Sequence, residues 1–210
     1  MLPARAGSAA VVVPVKAFTA AKLRLAAALD PPARAALARR LADIVVAAAA
    51  PLPVVVVCDD DEVRDWAGEA GADVVWCPGR GLNGAVADGV AALRDRGVER
   101  AIVAHADLPL ARELAWVADF PGVTVVPDRR RDGSNVLAVP TDAGFGFAYG
   151  PGSFARHRAE AGRLGLPLRI VDDPALRWDV DLPADLAWPD LHGLAPADVG
   201  IEVPAHPVRS

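Results

Sequence analysis

The chain has 210 residues, 53% of them hydrophobic, and a formal net charge of −5. That length suits one domain with a sizeable core, and the apolar content excludes general disorder. The negative balance excludes a broad basic surface for DNA or RNA but leaves room for a local cationic pocket.

In chain order, "AAVVVPV" (residues 9–15) predicts a buried first strand. "PPARAALARRLADIVVAAAA" predicts a helix, opened by Pro31 and Pro32, with Leu37, Leu41, Ile44 and Val45 at helical spacing. "PLPVVVVC" reads as a strand, "DDEVRDWAGEAG" as a short helix and "ADVVWC" as a third strand. "GLNGAVADGVAALRDRG" reads as a third helix, and "ERAIVAHADLP" as a strand running into a polar loop. "LARELAWVADF" has a helical pattern, and "GVTVVPD" that of a strand. "RRRDGSNVLAVP" reads as a loop feeding a strand, "SFARHRAEAGRLG" as a helix and "LPLRIVDD" as a strand. "LRWDVDLPADLAW" closes the ordered part, with Asp179 and Asp181 ending a strand-like stretch.

This alternation predicts an α/β fold with a mostly parallel central sheet flanked by helices, its strands buried on both faces. We expect one domain over 1–188. Residues 189–210 hold four prolines and little periodicity, which predicts an extension or tail. Cys58 and Cys77 are the only cysteines, too few for a disulfide scaffold or a four-cysteine metal site. No signal peptide or membrane span is legible, so the expected location is the cytoplasm. A homodimer is the expected assembly only by general precedent.

Ligands of such sheets bind beyond the carboxyl ends of the strands. Lys16, Asp59, the Gly79–Asn83 turn, Asp107 and the Asp179/Asp181 pair all follow strand-like runs. Alternation would let Asp179 and Asp181 share a face while Val180 packs against the sheet. Three clustered carboxylates repel unless a cation joins them, and Mg2+ with its hard oxygen ligands fits that need. They are equally readable as helix caps, Asp107 for a helix near Leu110 and Asp179 or Asp181 for one after Pro183.

Lys16 and Lys22 are the only lysines, and "VPVKAFTAAKLRL" adds Arg24. The three can clamp a triphosphate or lie solvated at a helix start. The stretch is no P-loop, since its glycines and Lys-Ser/Thr pair are missing. In "CPGRGLNGAV", Gly81 permits close approach, and Asn83 suits a base or ribose or a helix cap. "RRRDGSNVL" offers Ser134 and Asn135 beside Arg129, Arg130 and Arg131, which face an anion or solvent. "FAYGPGSFARH" brings Gly150, Gly152 and Ser153 to a helix start, a second anion site or, for Ser153, an N-cap. His157, one turn further, reads as packing rather than catalytic. No Ser-His-Asp nucleophilic constellation is convincingly spaced. These features favour phosphoryl or nucleotidyl transfer through charge placement, without a protein nucleophile.

The ordered set "VPVKAFTAAKLRL", "GRGLNGAV", "HADLPL", "DRRRDGSNVL", "FAYGPGSFARH" and "WDVDLPADL" resembles the CofC/FbiD guanylyltransferases of coenzyme F420 biosynthesis over residues 9–188. The resemblance implies a nucleotide-diphospho-sugar-transferase-like fold and GTP-dependent transfer of GMP to a three-carbon phosphate acid, releasing pyrophosphate. By motif position it assigns Lys16, Lys22 and Arg24 to the triphosphate, and Gly81 and Asn83 to guanosine. It assigns Asp107, Asp179 and Asp181 to Mg2+, and Ser134, Gly150 and Ser153 to the acid substrate's phosphate. The family often has threonine where this chain has Ser134; the hydroxyl is kept. Phosphoenolpyruvate is the acid implied by similarity to the actinobacterial group, giving enolpyruvoyl-2-diphospho-5'-guanosine for a later transferase. The family also uses 2-phospho-L-lactate and 3-phospho-D-glycerate. Other readings are a molybdopterin-type or sugar-phosphate nucleotidyltransferase, and a non-catalytic GTP-binding protein.

Overall fold

The computed structural model describes residues 8–187. The residues expected to form a tail, 189–210, lie outside that range. Seven strands form one sheet: β1 (Ala9–Pro14), β2 (Val54–Cys58), β3 (Asp73–Trp76), β4 (Arg100–Ala104), β5 (Val123–Pro127), β6 (Ser134–Pro140) and β7 (Leu168–Ile170). Their order is β3-β2-β1-β4-β6-β5-β7. All pairings are parallel except those of β6, which runs antiparallel to both β4 and β5. Among the described residues four α-helices cover the sheet: α1 (Pro31–Ala48), α2 (Asp61–Glu69), α3 (Gly81–Asp95) and α4 (Ser153–Arg163).

The Val-rich strands are buried on both faces, and their alternate residues feed two cores. Val11, Val13, Val56 and Ile102 pack with α1 and α2 through Ala42, Val45 and Trp66. Ala10, Val12, Val55 and Val103 pack with α3 and α4 through Val86, Leu93 and Phe154. The period of two in a strand makes this division automatic. Asp30 and Asp60 cap α1 and α2 by accepting the amides of Ala33 and Val63 at 2.8 and 3.1 Å. No helix among the described residues is long and apolar enough to cross a membrane.

Two expectations need correction. "LARELAWVADF" forms no α-helix; only Ala115–Asp119 makes a 3-10 turn. Leu108, Leu110 and Leu114 are all buried, and the Leu114 amide bonds to Ala48 O at 3.0 Å rather than to its own segment. Tertiary contacts therefore win over the local period. Residues 177–182 form no strand either. Val180 is fully buried, but in a third cluster with Leu25, Leu37, Leu41, Leu110 and Leu186 rather than against the sheet. That cluster clamps residues 22–26 against the Asp179–Asp181 segment, far apart in sequence, and so fixes their side chains over the sheet's end.

Candidate active site

A cavity of about 640 Å³ opens at the carboxyl ends of the parallel strands. It spans the β1/β4 boundary, where the strand order reverses and such sheets form a crevice. The loops after β1, β2, β4 and β5 supply Lys16, Asp59, Asp107 and Asp128 to its wall. Because β6 is antiparallel, its first residue, Ser134, sits at this same end. Of the residues singled out in the sequence, Lys16, Lys22, Arg24, Gly81, Asp107, Ser134, Gly150, Ser153, Asp179 and Asp181 all line the cavity.

Asn83 does not. It lies in the first turn of α3, where its Oδ1 accepts the Tyr149 amide at 2.6 Å and its Nδ2 approaches Tyr149 O at 3.5 Å. The side chain thereby ties α3 to the loop that carries Gly150. Its neighbours Gly81 and Leu82 face the cavity.

The acidic end centres on Lys22, which holds a left-handed backbone (φ 56°). Its Nζ donates to Asp107 Oδ2 at 2.7 Å and to Val180 O at 2.8 Å, and lies 3.7 Å from Asp181. Arg24, mostly exposed, approaches Asp181 at 3.5 Å. Asp179 is buried and Asp107 partly so, and one shielded carboxylate oxygen of each has no hydrogen-bond partner. Burial raises the Asp179 pKa to about 6, with the charges of Asp107 and Asp181 adding to the rise. Burial also acts to raise Asp107, but the charges of Lys22 and His105 and the Lys22 hydrogen bond outweigh it and hold that carboxyl low. Burial depresses the pKa of His105, whose Nε2 is also unpartnered.

None of the three aspartates is the helix cap that sequence allowed. No helix begins near Leu110, and the turn at Pro183–Leu186 is capped by Asp185, which accepts the amides of Asp181 and Leu182 at 3.0 and 2.7 Å. Among the described residues, no group of three or more acidic, His or Cys side chains is placed to hold a metal ion; Asp107 and Asp181 flank the Lys22 ammonium instead. The donor set nonetheless suits a hard cation, since two buried carboxylate oxygens lack any partner.

A second group of lining residues is built on Ser134, Gly150 and Ser153, with Asp128 and Asp132 beside them. The Ser134 amide donates to Ser153 Oγ at 3.1 Å, and His157 Nδ1 lies 3.0 Å from Ser134 Oγ. Gly150 and Gly152 take φ of 109° and 74°, conformations that let the chain turn tightly into α4. Ser153 is the first residue of α4, and its side chain caps nothing in that helix. Asp132 braces the loop by accepting the Gly152 amide at 3.0 Å, and Asp128 in turn accepts those of Asp132 and Gly133 at 2.9 Å each.

The three arginines beside this loop do not line the cavity. Arg129 lies 3.6 Å over the Trp178 ring and pairs with buried Asp185, which Arg130 also meets at 3.3 Å. Arg131 approaches Asp172 at 3.7 Å. Sequence reasoning missed Asp185 as the hub of this cluster and His157 as a partner of Ser134. Both stand inside the quoted motifs, but only contact geometry gives them work. Cys58 and Cys77 are free and buried in the wall, and burial raises both thiols.

The family model described as "Guanylyl transferase CofC like" matches residues 9–196. The phosphoenolpyruvate guanylyltransferase of Sphaerobacter thermophilus is 40% identical over 194 residues, covering 88% of this chain and 93% of that protein. The enzyme of the same name from Rubrobacter xylanophilus is 36% identical over 185 residues, covering 84% and 90%. A solved structure assigned as a nucleotide-diphospho-sugar transferase from Desulfovibrio desulfuricans G20 is 16% identical with a TM-score of 0.66, covering 85% of this chain and 84% of that one. That likeness establishes the fold alone.

Proposed function

The chain belongs to the CofC-like guanylyl transferase family, and we propose that it is a phosphoenolpyruvate guanylyltransferase, transferring GMP from GTP to phosphoenolpyruvate. The observation that carries this reading is one cavity with two ends of different chemistry. A Lys/Arg and aspartate group and a hydroxyl and glycine group line the same cavity, and together they suit two phosphorylated substrates. The relatives' names supply the identity of those substrates.

Lys16, Lys22 and Arg24 receive the triphosphate, with Gly81 at the turn beside guanosine. Asn83 supports the nucleotide end from behind the cavity wall, in the turn of α3 that carries Gly81, and its bond to Tyr149 joins that turn to the loop of Gly150. Ser134, Gly150 and Ser153 receive the phosphate of the acid. Asp107, Asp179 and Asp181 would hold Mg2+, which when bound supplies positive charge to the phosphate oxygens. The proposed domain is 1–188.

In the reaction, a phosphate oxygen of phosphoenolpyruvate attacks the α-phosphorus of GTP. A new P–O bond forms, the α–β bond breaks and pyrophosphate leaves with the electron pair. The product is enolpyruvoyl-2-diphospho-5'-guanosine, an activated group for a later transferase. The attacking oxygen is already anionic, so no protein base is required. The main barrier is repulsion between two anions, which the cationic strap offsets while both ends hold the reactants in line.

The test is a panel of purified protein with GTP, Mg2+ and, separately, phosphoenolpyruvate, 2-phospho-L-lactate or 3-phospho-D-glycerate. Pyrophosphate is expected only when an acid is added, fastest with phosphoenolpyruvate. Faster turnover of another acid would change the substrate assignment. No release with any of them, from folded protein that binds GTP, would overturn the enzyme reading.

A further inference from the structure

His157 is fully buried in α4, behind the hydroxyl end of the cavity. The Ala148 amide donates to its Nε2 at 3.1 Å. An amide N–H can only donate, so Nε2 must present its lone pair. The imidazole proton then belongs on Nδ1. Were Nδ1 also an acceptor, the ring would be an imidazolate, which this site has no charge to support. Nδ1–H therefore donates to Ser134 Oγ, 3.0 Å away.

A hydroxyl has one proton and two lone pairs. The imidazole occupies a lone pair of Ser134, which leaves the Ser134 proton to be donated. Ser153 is in the same condition, because its Oγ accepts the Ser134 amide at 3.1 Å. Both serines are almost wholly buried, at 1% and 2% exposure, and both line the cavity.

We propose that His157 is a positioning residue: by donating from Nδ1 it sets Ser134 as a hydroxyl donor directed, beside the Ser153 hydroxyl that the Ser134 amide sets independently, at the anionic oxygens of the acid substrate. The inference rests on the reading that this end of the cavity holds that substrate. It adds the device that fixes the polarity of the Ser134 hydroxyl. Burial supports it by lowering the His157 pKa to about 4, with the Arg156 charge adding to the effect, so the ring is neutral near pH 7. A neutral ring keeps its single proton on Nδ1, and Ala148 stays satisfied.

Two substitutions separate this role from simple support of the loop. In His157→Gln the side-chain oxygen reaches the Nε2 position and still accepts from Ala148, but nothing donates to Ser134. In His157→Asn the amide nitrogen takes the Nδ1 position and donates to Ser134, while Ala148 loses its acceptor. The proposal expects Gln to raise the KM for phosphoenolpyruvate about tenfold with the KM for GTP unchanged, on the scale of a lost hydrogen bond at a charged ligand. It expects Asn to stay within about threefold of the native value, the residual change reflecting the lost Ala148 bond. The reverse order would leave His157 as loop support only and overturn the proposal. Ser134→Ala and Ser153→Ala report on the underlying reading. If neither raises the KM for the acid, the site assignment fails and the inference with it. If they do and Gln does not, the positioning role alone fails. Nitrogen-15 NMR of the native imidazole requires no variant: the Nδ1–H tautomer is expected, and an Nε2–H tautomer overturns the proposal even if both variants fail to fold.

Discussion

Asp179 and Asp181 stand one residue apart but bear different loads. Asp179 is 8% exposed with an unpartnered oxygen, whereas the Asp181 side chain is 42% exposed and faces Lys22 and Arg24. The Asp179 pKa is raised to about 6 from an ordinary 3.8, so between those values the folded state binds more protons than the unfolded one. Its favourable contribution is full below about 3.8 and is lost as pH rises through about 6. At pH 8 the ionised group therefore costs up to ~3 kcal/mol relative to a protonated one. Asp179→Asn should raise the denaturation midpoint of the ligand-free protein at pH 8, with little gain at pH 4, while turnover falls by at least about 100-fold, the scale of losing a preorganised charge contact in the transition state. Asp181→Asn should show a comparable loss of turnover without the stability gain, because solvent already relieves its charge. Urea melts at the two pH values and pyrophosphate release check both. An unchanged turnover in either variant would remove that aspartate from the proposed metal site.

At the scale of elements, α3 brings Gly81 to the cavity, and its position depends on one close approach. A Cβ on Gly89 would meet Val57 Cγ1 at 2.6 Å and Val12 Cγ1 at 2.9 Å, both in the sheet. Gly89→Ala should push the helix off β1 and β2, costing about 1–3 kcal/mol as an overpacked core contact. The shift should also raise the KM for GTP, because the N-terminus of the helix moves with it. Gly162, with nothing within 4 Å of its added Cβ, is the control. Gly162→Ala lies within α4 and should be neutral or stabilising by up to about 1 kcal/mol. Urea midpoints and GTP kinetics distinguish the pair. Equal effects would show that α3 is not held by that contact.

At the scale of the molecule, both cores share one sheet, so the two sides should unfold together. The site lies where loops from both halves of the sheet meet, and ligands there should stabilise the whole. Mg2+ with GTP at about 100 times its dissociation constant should raise the Tm by roughly 5–10 °C in a single transition, and a chelator should reduce the shift. A shift unaffected by chelation would argue that nucleotide binds through Lys16, Lys22 and Arg24 without the aspartates. Two resolved transitions would argue against one domain over 1–188.

The sequence by itself determined the alternation of buried strands and helices, since periods of 2 and 3.6 are local properties of the chain. It also placed Lys16, Asp59 and Asp107 at strand ends, the address to which such sheets bring ligands. What lay beyond its reach were the interactions between distant segments. The antiparallel β6 brings Ser134 to the same end as the parallel strands' loops, a matter of topology rather than period. The buried cluster of Leu25, Leu110 and Val180 joins three remote pieces, and so decides that Lys22 meets Asp107 and Asp181. The same kind of contact overrode the helical pattern at 110–120 and gave His157 its partner Ser134. Local backbone preference can be read from neighbours in the chain. Which charges and hydroxyls face one another is decided by packing between residues up to 158 positions apart, as in the bond from Lys22 to Val180.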